Sequence, residues 1–259
     1  MNQYAKIKNL LKEVIKKKFK DYETTKEPAY MPFHIALLGK DKLALYQFIH
    51  SLNTNFGTTI FEPVAIELAK NNFDKVDRQL KIETEISEET LKEIDIIIDE
   101  LNIASKKPNK SEEIERIKKK LFIGEKRKVK LTRVDLYCQR DNKAYLFDIK
   151  TAKPNKGSFL EFKRTLLKWA AAILTINPNL DVYTIIAIPY NPYYPKPYSR
   201  WTMAGMLDLE NELLVAEEFW DFLGGNGSYD KLLKTFEQVG TEMREEIDEF
   251  FKKFNKENS

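Results

Sequence analysis

The chain has one cysteine and two histidines in 259 residues. It also has no apolar run near the roughly 20 residues needed to span a bilayer. With Cys138 alone there can be no internal disulfide, and the chain suits a reducing compartment. Cys138 falls in a strand-like stretch, where an inert core thiol is the expected role. So few histidines argue against an imidazole metal cluster or a histidine base, and His34 and His50 read as helix positions. Residues 1–20 form an amphipathic, Lys-rich pattern without the apolar segment of a signal peptide. A soluble, cytoplasmic protein with no membrane contact is therefore expected. Charge of one sign is scarce too: 43 basic against 40 acidic residues leave a net +3. Affinity for a polyanion must then come from local clustering rather than a global field.

What is present changes character along the chain. Apolar residues recur at helical spacing over 4–20 and 33–52. Thr58 or Thr59 is positioned to cap a helix running to about Asn72, and Ser87 with Glu88 and Glu89 opens another to about Ala104. After a polar linker, Ser111 is expected to cap a short charged helix ending near Leu121. Strands follow at about 129–139 and 143–151, then a long helix over 159–176 and a continuous apolar run, Val182 to Ile188, suited to a strand buried on both faces. A Pro- and Tyr-rich loop spans 189–201, and the last 45 residues return to helices broken at Gly224-Gly225-Asn226-Gly227. Hairpin, helix and buried strand in that order predict an α/β fold, a mixed sheet of about five strands flanked by helices. The expected organisation is one domain over 1–259. It comprises a mainly helical part (1–125), a sheet core (126–210) and C-terminal helices (211–259).

The chemistry concentrates in the two strands. Arg133-Val134-Asp135-Leu136-Tyr137-Cys138 and Ala144-Tyr145-Leu146-Phe147-Asp148-Ile149-Lys150 flank Asp141-Asn142, a turn signal. A two-residue turn pairs Arg140 with Lys143 and sets Asp135 opposite Asp148. Residues so placed have Cβ atoms roughly 4.5–5.5 Å apart, and like charges there destabilise a sheet. Lys150 falls on the same face, one step along. Two carboxylates forced together beside an ammonium predict a divalent-cation site and a metal-dependent nuclease. The acid-x-Lys pattern occurs three times, but only Asp148-Ile149-Lys150 follows an apolar run that carries the acid into a sheet. The competing reading is a strand end whose acid and lysine are merely solvated or ion-paired.

Hard oxygen ligands suit Mg²⁺, with Asp135, Asp148 and the Ile149 carbonyl as its candidate ligands. Lys150 would orient the attacking water and stabilise charge on the phosphate. Glu62, among apolar residues at the start of a helix, is a candidate third acid; its plainer role is to favour the helix dipole. Lys153, Lys156, Lys163 and Arg164 either reach DNA phosphates or form a solvated basic rim. In the 189–201 loop, Asn191, Lys196, Arg200 and Trp201 are types that read base edges or brace a groove, unless the loop simply packs on the sheet.

Asp135 with Asp148-Ile149-Lys150 on a hairpin, and Glu62 on a preceding helix, resembles the PD-(D/E)xK nuclease superfamily, Val134 standing where the motif has proline. Three stretches are similar to the TdeIII/MjaII-type family of type II restriction endonucleases: residues 147–155, 188–193 and 218–225, with the region around Gly57 and Glu62 also alike. The resemblance implies a restriction-endonuclease-like core with an added helical N-terminal region. It also implies a homodimer cutting double-stranded DNA at a short palindrome of the GGNCC kind, a cognate DNA methyltransferase, and DNA contacts that include Asn155. On the same fold, a structure-selective or repair nuclease is the alternative within enzymes, and a catalytically inactive DNA-binding module the alternative outside them.

Overall fold

The computed structural model describes residues 2–24, 31–150, 158–198 and 201–256. Its contacts divide into two compact units, residues 1–67 with 227–259, and residues 68–226.

The first unit is helical. It holds α1 (Gln3–Thr24), α2 (Pro32–Leu38), α3 (Lys40–Phe56), a π-helical turn (Gly57–Phe61) and the start of α4 (Glu62–Ala69), then α10 (Ser228–Glu242) and α11 (Arg244–Lys256). Ile7 and Leu11 of α1 are buried, as its periodicity predicts. Phe19 stacks on Phe250 at 4.4 Å, and Phe48 lies 5.4 Å from Phe250, so aromatic packing joins α1, α3 and α11. Two details differ from expectation. The stretch over 33–52 is broken at Gly39, whose φ of +86° suits the residue without a Cβ. No helix starts at Thr58 or Thr59, because the chain enters the π turn already helical from α3.

The second unit is built on a five-stranded sheet of order β1-β4-β5-β6-β7. Its strands are β1 (Lys75–Leu80), β4 (Val134–Arg140), β5 (Lys143–Ile149), β6 (Asp181–Ile188) and β7 (Leu213–Val215). The first three run antiparallel and the last three parallel, so the sheet is mixed, as expected. β2 (Glu85–Ser87) and β3 (Lys126–Lys128) form a separate ribbon. Strands β1, β2 and β7 lie in stretches read as helical or irregular. β1 is an edge strand with no fully buried residue, and β7 has three residues, so neither carries a clear apolar alternation.

Helices α5 (Glu88–Asn102), α6 (Lys110–Lys118) and α7 (Phe159–Ile176) share one core with Tyr137, Ala144 and Leu146. The opposite sheet face carries Tyr145 and Phe147, which pack on Phe222 and Phe219 of α9 (Glu217–Gly224) at 5.0 and 5.6 Å. A short α8 (Trp201–Ala204) precedes β7. Ser87 caps α5 as expected, its Oγ accepting from Thr90 N at 3.1 Å. The cap of α6 is Asn109, not Ser111: Asn109 is extended and its Oδ1 accepts from Glu112 N at 3.0 Å. Among the described residues no helix is long and apolar enough to cross a membrane.

Candidate active site

The β4–β5 hairpin has the anticipated register. Arg140 pairs with Lys143 and Leu136 with Phe147. One further step sets Asp135 opposite Asp148. Asp141 takes a φ of +53°, a conformation Asp tolerates in tight turns. On the same face stand Tyr137 and Leu146, another cross-strand pair, so the acidic pair extends an apolar column directed towards α7. Cys138 is on the opposite face, fully buried, its thiol pushed up to about 12 by burial.

Asp135 is gripped from both neighbouring strands. Its Oδ2 accepts from the Ile149 N–H at 2.8 Å, and its Oδ1 accepts from Gln79 Nε2 of β1 at 3.0 Å. Each carboxylate oxygen so engaged keeps another lone pair. Asp148 is 6% exposed, and its Oδ1 lies 2.6 Å from Lys150 Nζ. That ammonium also sits 4.8 Å over the Phe162 ring of α7, and the Lys150 N–H donates to the Ala187 carbonyl at 2.9 Å. The lysine is thus fixed at both ends of its side chain.

Burial, and then the charge of Asp148, push the Asp135 carboxyl up to about 6. The Ile149 N–H, Lys150 and Gln79 pull the other way without prevailing. Lys150 alone therefore leaves Asp135 under-compensated, which is the electrostatic demand a divalent cation meets. Two carboxylates and the Ile149 carbonyl offer hard oxygens in an incomplete shell, so the residues present fit Mg²⁺. Among the described residues no group of three or more carboxylate, imidazole or thiol side chains is arranged for a metal ion. Gln79 is the member of this site that sequence reasoning missed. Its strand carries no apolar alternation to mark it, and only the register of β1 on β4 brings it beside Asp135.

The other sequence candidates are distributed as follows. Glu62 is 2% exposed at the first turn of α4, in the first unit. Lys153, Asn155, Lys156 and Arg200 lie outside the described residues. Asn191 braces its own loop, its Nδ2 donating to the Lys196 carbonyl at 2.8 Å and its Oδ1 accepting from Tyr193 N at 2.9 Å. Arg164 pairs with Asp95. Lys163 is a correction. It is fully buried, 2.5 Å from Glu113 Oε2 and 2.6 Å from Glu212 Oε2, and cannot reach a phosphate. It belongs to a buried charge cluster with Lys110, which bonds Glu212 Oε1 at 2.8 Å and Thr184 Oγ1 at 2.6 Å. Burial raises the Glu113 carboxyl and lowers the Lys110 ammonium. Burial pushes Glu212 up as well, but the two lysines outweigh it and hold that carboxyl below its usual range.

A mixed five-stranded sheet, with an acidic pair and a lysine on one hairpin face, is the architecture of restriction-endonuclease-like nucleases. The profile of the family described as Type II restriction endonuclease, HinfI, matches residues 1–240, and the chain belongs to that family of site-specific deoxyribonucleases. Among its relatives, type II restriction enzyme HgiCII of Herpetosiphon aurantiacus is 29% identical over 221 residues, 83% of this chain and 80% of the relative. HgiEI of the same organism is 27% identical over 239 residues, covering 86% and 82%. MjaII of Methanocaldococcus jannaschii is 28% identical over 221 residues, 75% of this chain and 58% of that enzyme.

Proposed function

We propose that this chain is a Mg²⁺-dependent type II restriction endonuclease that hydrolyses both strands of duplex DNA at a short palindrome. The observation that carries the reading is the shared face of Asp135, Asp148 and Lys150, with Asp135 under-compensated by its protein neighbours. Asp135, Asp148 and the Ile149 carbonyl would hold the ion. When bound, the ion supplies Lewis-acid activation of water and neutralises charge building on the scissile phosphate. Lys150, braced against Phe162, holds the attacking water in line and stabilises the same developing charge. Glu62 is assigned a supporting role.

The finer points rest on the family resemblance: a GGNCC-type site, a homodimer that reads the palindrome with two equivalent surfaces, and a methyltransferase protecting the same sequence. Lys153, Asn155, Lys156 and Arg200 are assigned to DNA contacts, and Asn191 joins them once it exchanges its loop bonds for a base edge.

Incubating the purified chain with long unmethylated duplex and Mg²⁺ tests the reading, and end-sequencing of the products reports site and stagger. Discrete fragments with one common end sequence support it. Nonspecific or branch-selective degradation assigns the chain to repair-type chemistry instead, and a band shift without cleavage makes it a binding module.

A further inference from the structure

We propose that Gln79 is the positioning residue of this nuclease site, holding Asp135 in the orientation in which it meets the metal ion. The proposal rests on the function proposed above and extends it to a strand that has no part in the Asp-x-Lys motif.

Two independent features single Gln79 out. The first is its backbone. β1 pairs with β4 through Arg78↔Leu136 and Leu80↔Val134, which leaves Gln79 as the residue facing Asp135. At that point its φ is +51°, inside an otherwise paired strand. A side chain with a Cβ rarely adopts this conformation, and such strain persists where the surroundings enforce it, characteristically beside active sites. The second is its side chain. Nε2 donates to Asp135 Oδ1 at 3.0 Å, while the Ile149 N–H of the strand on the other side holds Oδ2 at 2.8 Å. The carboxylate is fixed from two directions by donors, and each oxygen keeps a lone pair for an ion. A Gln amide is suited to this position because it stays neutral. A carboxylate would add a third negative charge to the pair, and a lysine would compete with the cation for it. Outer partners that orient a ligand commonly contribute 10–100-fold to metal affinity.

The position allows the strain and the amide to be separated. Gln79→Gly removes the side chain and accepts a positive φ freely. Gln79→Met keeps the volume and removes the amide, and with it the donor to Asp135. For the full-length chain, Mg²⁺ titrated by calorimetry without DNA should bind both variants about 10-fold or more weakly than wild type. The thermal midpoint of Gln79→Gly should be equal to or above that of wild type. Steady-state cleavage over a range of DNA concentrations should show a lower kcat with little change in KM, recovered in part by raised Mg²⁺. A residue that only packs the strand gives the opposite pattern: Gln79→Met binds Mg²⁺ and cuts like wild type, which overturns the proposal. If wild type itself neither binds Mg²⁺ nor cuts, the functional reading fails instead, so the two failures are distinguishable.

Discussion

The main-chain N–H of Ile149 donates to Asp135 Oδ2 at 2.8 Å, so the second half of the hairpin holds the acid presented by the first. Asp148 and Lys150 flank Ile149 in sequence. Any shift of β5 against β4 therefore displaces Asp148 and Lys150 relative to Asp135, and the hairpin register controls the geometry of the chemistry.

Lys150 should separate binding from cutting. Lys150→Ala removes the ammonium 2.6 Å from Asp148 and leaves the carboxylates intact. Loss of one preorganised electrostatic group costs about 10²–10³ in kcat. The variant is expected to retain DNA in a gel shift while single-turnover cleavage falls by that factor. Undiminished cleavage removes Lys150 from the mechanism.

Asp135 gives the metal-free protein a defined pH dependence. Its carboxyl is raised from 3.8 to about 6, so its favourable contribution to stability is complete below the lower value and is lost as pH rises through the upper one. Relative to Asp135→Asn, the wild-type thermal midpoint without Mg²⁺ should fall between about pH 4 and pH 7. Mg²⁺ should cancel that fall and, near pH 6, bind with release of protons. A wild-type minus variant difference that stays flat with pH contradicts the assignment.

Lys163 is structural by this account. Removing one member of a buried ion pair leaves uncompensated charge and costs about 3–5 kcal/mol. Lys163→Met should therefore lower the chemical-denaturation stability by that order, with Glu113 deprived of its 2.5 Å ammonium partner and Glu212 left to Lys110. Adding Glu113→Gln should recover part of the loss. The salt dependence of DNA binding should stay the same in any variant that remains folded; a shallower slope would return Lys163 to the DNA surface.

Ser87 joins α5 to the turn after α6. Its Oγ accepts from Thr90 N and donates to the Lys120 carbonyl at 2.8 Å. Ser87→Ala should cost about 1–2 kcal/mol in urea unfolding, since it loses the cap and one of the two bonds to the Lys120 carbonyl, which keeps the Ile123 N–H. A change within experimental error would show that water or Thr90 replaces both bonds.

The hairpin was legible because its signals are local. Period-2 apolar residues and an Asp-Asn turn specify register within about 15 residues, and register alone sets the two acids opposite each other. Helix α7 and strand β6 were legible for the same reason: each carries one uninterrupted period. Strand β1 was not, because Lys75-Val76-Asp77-Arg78-Gln79-Leu80 buries no residue fully and gains its strand identity from pairing with β4. Lys163 misled because a lysine on a helix looks the same in sequence whether it meets solvent or Glu113 and Glu212.

What the sequence by itself determined is the acidic pair, the lysine beside it and the α/β order of the sheet core, all of which follow from periodicity over a few neighbouring residues. Only the tertiary structure decided which polar side chains lie inside, that β1 and β7 form the sheet edges, and that Gln79 faces Asp135. Those facts depend on pairings between segments some 50 to 100 residues apart, such as Gln79 with Asp135 and Lys110 with Glu212. The energy that selects such pairings comes from the partner, and no local pattern encodes it.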